Sequence, residues 1–171
     1  MKRPEGRKPI LVVGIGNSIQ MDDGVGIHVL RELEKCPMPP EVDLLDGGTT
    51  GIELLPWLEG REKVIFIDAV DGEQSPGTVF RFAPETVEYE MIPKASVHEI
   101  GLVDALQMAA LVGRGPRETV LFGVQPKRID WSESVTEEIR AVIPRVASLV
   151  LDEINESVHV YHMNHHGGID E

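Results

Sequence analysis

The fold is indicated first by a compact apolar run near the start of the chain, Ile10-Leu11-Val12-Val13-Gly14-Ile15-Gly16. Its length and its β-branched residues favour a strand buried on both faces, and the glycines permit a tight turn after it. Asp22 or Asp23 is then expected to open a helix, because apolar residues follow at helical spacing: Val25, Val29, Leu30 and Leu33. A buried strand that leads directly into an amphipathic helix is typical of an α/β fold.

The rest of the chain repeats this alternation of strands and helices. Further strands are predicted at residues 42–45, 64–67, 78–82 and 119–124. Helices are predicted at residues 52–58, 99–112 and 133–155, the last with a bend or break at Pro144. The pattern predicts a single α/β domain with a mostly parallel, five-stranded twisted sheet and helices on both faces, an α/β/α sandwich. We expect this domain to span residues 1–155, and residues 156–171, which contain His and Gly, to form a poorly ordered tail.

The composition excludes several classes of protein. With 171 residues, 42% of them hydrophobic, the chain can bury one ordinary globular core. A formal net charge of −13 repels phosphate backbones, so we expect no binding to nucleic acid. No apolar run reaches the ~20 residues that span a bilayer, and no signal peptide is recognised, so we expect no membrane insertion and a cytoplasmic location. The single cysteine, Cys36, cannot form an internal disulfide and is expected to be a packed or loop thiol.

Three polar residues beside separate predicted elements are candidates for a shared metal site. Asp23 follows the first strand, Asp68 follows the third, and His98 opens a later helix. Open α/β sheets bind ligands beyond the carboxyl ends of their strands, and the first and third strands are neighbours in a flavodoxin-like order. Two carboxylates and an imidazole suit divalent nickel, zinc, cobalt or manganese with positions left open for substrate or water. The residue types alone leave a simpler role open for each of them. Asp23 can cap its helix, Asp68 can accept hydrogen bonds from loop amides, and His98 can face solvent at the start of its helix.

Two other features give weaker chemical signals. Gly14-Ile15-Gly16 resembles part of a dinucleotide-binding loop, but Ile19 stands where that motif needs its third glycine. Histidines are clustered near the end of the chain, at His159, His162, His165 and His166, and clustered histidines can bind nickel or zinc. A flexible tail offers no preorganised geometry, so a physiological metal site there is the less favoured interpretation.

A family resemblance is carried by short motifs that follow one another between about residues 10 and 154. The motifs are Gly14-Ile15-Gly16-Asn17-Ser18-Ile19-Gln20-Met21-Asp22-Asp23-Gly24-Val25-Gly26, Asp46-Gly47-Gly48-Thr49-Thr50-Gly51, Ile67-Asp68-Ala69-Val70-Asp71 with the turn Pro76-Gly77-Thr78, Ser96-Val97-His98-Glu99-Ile100-Gly101-Leu102, and Phe122-Gly123-Val124-Gln125-Pro126. In this order they resemble the hydrogenase maturation endopeptidases, which process the large subunit of nickel–iron hydrogenases.

The resemblance implies an enzyme that removes a C-terminal extension from a hydrogenase large-subunit precursor after nickel has been inserted. It implies that Asp23, Asp68 and His98 engage the nickel carried by that precursor and serve in the hydrolysis. Nickel then arrives with the substrate protein, and other divalent ions can occupy the site in isolation. Many relatives have Glu at the position of Asp23, which keeps the oxygen chemistry but changes the reach, and the adjacent Asp22 is a candidate helper. A monomer suits an enzyme that must embrace a folded partner.

A glycine-rich segment after the second strand is expected to form the rim that receives the substrate. The candidate substrate-binding residues are Asp46, Gly47, Gly48 and Thr49. Glycines there let the backbone of a partner approach closely. A plain turn after a strand explains the same residues equally well.

Two other functions are left open by the residues. One is a non-catalytic module that docks on a metalloprotein and senses its metal, and the other is a nucleotide-binding α/β domain suggested by Gly14 and Gly16. For an enzyme, the attacking water is activated either by the metal or by a carboxylate as general base, and no Ser or Cys is indicated as a covalent nucleophile.

Overall fold

The computed structural model describes residues 6–84 and 97–166, and for residues 97–100 and 166 it describes the backbone alone. The strands in these ranges are β1 (Ile10–Ile15), β2 (Val42–Gly48), β3 (Lys63–Ala69), β4 (Val79–Phe82) and β5 (Glu118–Val124). The α-helices are α1 (Val25–Leu33), α2 (Leu55–Leu58), α3 (Val97–Leu111) and α4 (Glu137–His166). Two short 3₁₀ turns, Met21–Gly24 and Ile52–Leu54, lead into α1 and α2.

The described strands form one mostly parallel sheet in the order β2-β1-β3-β5-β4. β1 pairs in parallel with β2 and β3, and β3 pairs in parallel with β5. β4 is antiparallel to β5 at the edge of the sheet. The mostly parallel five-stranded sheet is confirmed, and so is the expectation that the first and third strands are neighbours. The carboxyl ends of β1 and β3 therefore reach the same edge.

Helices cover both faces of the sheet because its central strands are apolar on both sides. Val12 and Ile65 belong to the core on the side of α1 and α4. Val13 and Phe66, each one residue further along its strand, belong to the core on the side of α2 and α3. Successive residues of a strand point to opposite faces, so one apolar run supplies both cores. The three layers match the α/β/α prediction.

The last helix differs from its prediction at both ends. It starts at Glu137 instead of residue 133, and Pro144 lies inside it without breaking it. It continues to His166, because Ile154 is fully buried and Val158 still packs against the core. The expected tail from residue 156 is therefore wrong for residues 156–166, and residues 167–171 lie outside the described ranges. In those ranges, neither this helix nor any other combines the length and apolarity needed to cross a membrane.

Buried charges meet at the amino-terminal edge of the sheet. Lys63 of β3 is 8% exposed and Glu153 of α4 is 6% exposed, and Nζ of Lys63 lies 2.6 Å from Oε1 of Glu153. Arg81 of β4 donates two hydrogen bonds to Glu153, at 2.8 and 3.0 Å, and Lys63 also pairs with Glu118 of β5 at 2.8 Å. Burial by itself raises the pKa of Glu153, but the bonds and charges of Arg81 and Lys63 outweigh it and hold that pKa below its usual value. The cluster joins three strands to α4.

Replacing Glu153 with Gln is expected to lower the free energy of unfolding by about 3 kcal/mol, because Lys63 and Arg81 lose a buried anion. The pKa of Glu153 is lower in the folded protein than in the unfolded chain. The ionised carboxylate therefore contributes fully to the free energy of unfolding above the ordinary glutamate pKa of about 4.3, and this contribution is lost as the pH falls through the folded pKa. Urea unfolding at pH 7 and pH 3 measures the difference, which should shrink at the lower pH. Glu156→Gln, at an exposed position of the same helix, is the matched control, and equal losses in both variants contradict the assignment.

Candidate active site

The ends of β1 and β3 are joined by the start of α1, which lies directly on them. A side chain at Gly26 would place its Cβ 2.2 Å from the carbonyl oxygen of Ile67 and 2.3 Å from that of Ile15. Only a glycine allows this approach of backbone to backbone. The 3₁₀ turn Met21–Gly24, immediately before α1, packs against β3 as well. The turn that carries Asp23 and the strand that carries Asp68 thus meet at the carboxyl edge of the sheet.

Both predicted carboxylates are buried at this edge. Asp23 is 3% exposed, and its Oδ2 accepts the backbone N–H of Asn17 at 2.8 Å. Asp68 is fully buried, and its Oδ1 accepts the N–H of Ala69 at 2.8 Å. Asp68 is the penultimate residue of β3 and does not follow the strand as predicted, because β3 stays paired with β5 as far as Ala69. Two buried acids, one in the turn that follows β1 and one near the end of the adjacent β3, form the core of the candidate site.

The neighbouring acid, Asp22, serves a different purpose. It is fully buried, its Oδ1 accepts the N–H of Thr136 at 2.7 Å, and its Oδ2 accepts the Thr136 hydroxyl at 2.8 Å. The same Oδ2 accepts the N–H groups of Lys127 and Arg128, each at 3.0 Å. Asp22 therefore fastens the segment between β5 and α4 to the site, and a role as a chemical helper stays a prediction.

An unusual backbone conformation precedes the two adjacent acids. Met21, the residue before them, has a φ of +51°, in the left-handed region that costs an L-residue about 1 kcal/mol. Its N–H donates to the carbonyl oxygen of Ser132 at 2.8 Å, and the N–H of Asp22 donates to that of Arg128 at 3.3 Å. The turn is thus anchored to the 126–136 segment through Asp22, whereas Asp23 is bonded to the loop after β1.

The third predicted residue, His98, lies in the first turn of α3. The side chain of His98 is outside the described atoms, but the position of its helix is defined by Gly101, three residues further on. A Cβ at Gly51 would lie 2.7 Å from the Cα of Gly101, so α3 touches the loop after β2. Three residues of α-helix span about 4.5 Å, which places the backbone of His98 beside the same edge. Among the side chains that are described, no three His, Cys, Asp or Glu residues are arranged to hold a metal ion.

The glycine-rich segment after the second predicted strand continues β2 to Gly48 and forms one side of this edge. Asp46 lies opposite Gly14 in the β1–β2 pairing, and its Oδ1 accepts the N–H of Gly48 at 2.9 Å. Gly48 has a φ of +54°, and a Cβ at Gly47 would lie 2.8 Å from the Val13 side chain. These contacts account for a tight turn, and a substrate-binding role for Asp46, Gly47, Gly48 and the exposed Thr49 stays a prediction.

Gln125, directly after β5, is a buried residue of this edge that was not among the predicted site residues. Its Oε1 accepts the N–H groups of Gly72 and Gln74 at 2.8 and 3.1 Å, and its Nε2 donates to Asp71 at 3.0 Å. Two hydrogen bonds hold the pKa of Asp71 below its usual value. The bond from Gln125 has the larger effect, and the bond from the N–H of Glu73 has the smaller one. Gln125 thus fixes the loop that follows Asp68. The signal was its place at the end of a strand on the same edge as the two acids.

The histidines near the end of the chain lie away from this edge. His162 pairs with Glu41 at 2.8 Å, and His165 approaches Glu62 at 4.0 Å. Glu41 and Glu62 precede β2 and β3, so these contacts place the end of α4 at the amino-terminal edge of the sheet. His162 and His165 therefore lie on a helix surface on the opposite side from Asp23 and Asp68.

Fold and site together define a class: a three-layer α/β protein with two buried carboxylates at the carboxyl edge of a mostly parallel sheet. The family model described as hydrogenase maturation protease matches residues 27–153. The chain therefore belongs to the hydrogenase maturation protease family. By that membership it is a hydrolase of peptide bonds, as the sequence motifs indicated.

Individual relatives agree with this assignment. The chain is 34% identical over 150 residues to the hydrogenase 2 maturation protease of Escherichia coli strain K12, which covers 86% of this chain and 92% of the relative. Its fold matches the hydrogenase maturating endopeptidase HybD from E. coli with a TM-score of 0.80 and 33% identity, over 86% of this chain and 93% of that one. It also matches the [NiFe] hydrogenase maturation protease HybD from Thermococcus kodakarensis, with a TM-score of 0.69 and 26% identity, over 85% and 98% of the two chains.

Proposed function

We propose that this chain removes a C-terminal extension from the nickel-loaded large-subunit precursor of a nickel–iron hydrogenase. The observation that carries the proposal is the pair of buried carboxylates in a hydrogenase maturation protease: Asp23 lies in the turn that follows β1, and Asp68 lies near the end of β3, the parallel neighbour of β1 in the sheet. The carboxyl edge of such a sheet is where α/β proteins bind their ligands. The same proposal places the enzyme in the cytoplasm and has it act as a monomer.

In this proposal, the nickel of the precursor is the recognition element. Asp23, Asp68 and His98 offer two carboxylates and an imidazole, a donor set that suits divalent nickel. The metal belongs to the substrate, and its presence reports that the precursor is ready for processing. Other divalent ions can take the same position in the isolated protein.

The residues of the site then act by positioning and by charge. Engagement of the nickel aligns the scissile peptide bond over the crevice, and alignment of this kind lowers barriers by about 7–11 kcal/mol in favourable intramolecular cases. A water molecule attacks the scissile carbonyl, activated either by the nickel or by a carboxylate as general base, and the leaving amine takes up a proton. Burial of Asp23 and Asp68 strengthens their electrostatic effect on the reacting atoms, because little water screens them.

Two observations weigh against the other candidate functions. A nucleotide phosphate at the loop after β1 would need its backbone amides, but the N–H of Asn17 is bound to the carboxylate of Asp23. A non-catalytic sensor does not fit a family described as proteases. A sensor would also bind the precursor without changing its mass.

The proposal is tested by mixing the protein with nickel-loaded precursor and measuring the precursor's mass. We expect the loss of one C-terminal peptide, no cleavage of nickel-free precursor, and impaired release by Asp23→Asn and His98→Gln. Glu53→Gln is the matched control, because Glu53 is an exposed acid in the 3₁₀ turn before α2. Binding without a mass change, or cleavage that ignores nickel, contradicts the proposal.

A further inference from the structure

Large apolar side chains are exposed on the rim beside Asp23. Trp131 is 73% exposed, Ile129 is 47% exposed, and both lie between β5 and α4. Ile19, in the loop after β1, is 45% exposed. Single exposed apolar residues are common on protein surfaces, but a cluster of them is informative, because a large apolar patch marks an interaction surface. We call these three residues the rim patch.

Backbone pairing brings the two segments of the rim patch together. Gln20 and Ser132 form a parallel β-bridge, in which the N–H of Ser132 donates to the carbonyl oxygen of Ile19 at 3.0 Å. Ile19 and Trp131 each precede one member of this pair. The exposed side chains of Ile19 and Trp131 therefore belong to two segments that adjoin at the surface.

The rim patch is rigidly connected to the carboxylates. Asp22 accepts four hydrogen bonds from Lys127, Arg128 and Thr136, and it directly precedes Asp23 in the chain. A partner docked on Trp131 is therefore held at a fixed position relative to the site. Contacts made by a preorganised surface lose less conformational entropy on binding than contacts made by a mobile loop.

Four charged side chains beside the rim patch pair with one another. Lys127 pairs with Glu138, and Arg128 pairs with Asp130 at 2.5 Å. The three residues of the rim patch themselves offer apolar contacts. A second copy of this chain is a poor occupant, because two molecules with a net charge of −13 repel each other.

We propose that the rim patch docks an apolar surface of the hydrogenase large-subunit precursor next to its C-terminal extension, with Trp131 as the anchor. This inference rests on the proposed function. A substrate whose peptide bond reaches Asp23 must pass over the rim, and Ile19 lies only four residues before that acid. Tryptophan is enriched among the interface residues that contribute most to binding.

Trp131→Ala is expected to raise the KM for nickel-loaded precursor by about 10-fold or more, with kcat within about 2-fold of wild type. The raised KM should change little between 50 and 500 mM salt, because the lost contact is apolar. Trp57→Ala is the matched control, since Trp57 is 49% exposed on α2, away from the rim patch. An unchanged thermal midpoint shows that the effect is not misfolding.

A second measurement locates the contact directly. Trp57 and Trp131 are the two tryptophans of the chain, so the protein labelled with 5-fluorotryptophan gives two ¹⁹F signals, assigned with the two Ala variants. Unlabelled precursor should shift the Trp131 signal and leave the Trp57 signal in place.

Several outcomes overturn the inference. They are a wild-type KM for Trp131→Ala, a fall in kcat alone, or a shift of the Trp57 signal instead. Self-association that Trp131→Ala abolishes without changing the KM assigns the patch to a second copy. Failure of the proposed function looks different, because wild-type protein then releases no peptide at all.

Discussion

Asp68→Asn is expected to slow processing of the nickel-loaded precursor by about 1,000-fold. General-base catalysis and electrostatic stabilisation by one positioned group each contribute about 10²- to 10⁴-fold, and Asp68 is fully buried at the carboxyl end of β3. Asn has nearly the same shape, and its Oδ1 can still accept the N–H of Ala69 that Asp68 accepts at 2.8 Å. The substitution therefore removes the charge and keeps the loop.

The rate is measured in single turnover by mass spectrometry, with a thermal midpoint to show that the variant is folded. Glu53→Gln removes an exposed acid and should process at the wild-type rate. A rate for Asp68→Asn within about 3-fold of wild type contradicts the role of Asp68.

Asp22→Ala is expected to lower the free energy of unfolding by about 4 kcal/mol. The carboxylate accepts four hydrogen bonds while fully buried, and its removal leaves the N–H groups of Lys127, Arg128 and Thr136 without their acceptor. An unsatisfied buried donor costs about 1–3 kcal/mol, and some of these donors will find water. The loss is a large part of the 5–15 kcal/mol that stabilises a typical domain.

Urea unfolding measures this loss, and Asp130→Ala is its control. Asp130 is an exposed acid of the same segment, paired with Arg128 at the surface, and its removal should cost far less stability than removal of Asp22. If Asp22→Ala and Asp130→Ala are equally stable, Asp22 does not fasten the segment between β5 and α4.

The sheet could be predicted from the sequence because its central strands are buried on both faces. β1 and β3 are unbroken apolar runs with turn residues at their ends, and this pattern does not depend on the rest of the fold. The antiparallel direction of β4 could not be predicted in this way. It follows from the turn around Gly77, which has a φ of +84° and whose N–H donates to the carbonyl oxygen of Gln125 at 2.9 Å.

Helix ends were harder to predict because distant contacts set them. α1 begins at Val25, after the Met21–Gly24 turn, and neither Asp22 nor Asp23 opens it. α4 begins only after Thr136, which is bonded to Asp22. The far end of α4 extends to His166, and His162 is paired with Glu41, a partner that no local pattern reveals.

The candidate site could be predicted in part from the order of the strands. Carboxylates near the ends of neighbouring parallel strands must approach one edge, so Asp23 and Asp68 could be singled out from spacing and fold class. The different roles of Asp22 and Asp23 could not, because two adjacent acids look alike in a sequence. The bond from Thr136 to Asp22 and the bond from Asn17 to Asp23 distinguish them only in three dimensions.

The most direct test of the central claim is the position of nickel in crystals of this protein grown with an excess of Ni²⁺. Anomalous diffraction at the nickel edge should show the ion about 2.0–2.2 Å from an oxygen of Asp23, an oxygen of Asp68 and a ring nitrogen of His98, in the range of metal–oxygen and metal–nitrogen distances known for zinc. Nickel bound only by the histidines of α4, with none at the carboxyl edge of the sheet, would contradict it.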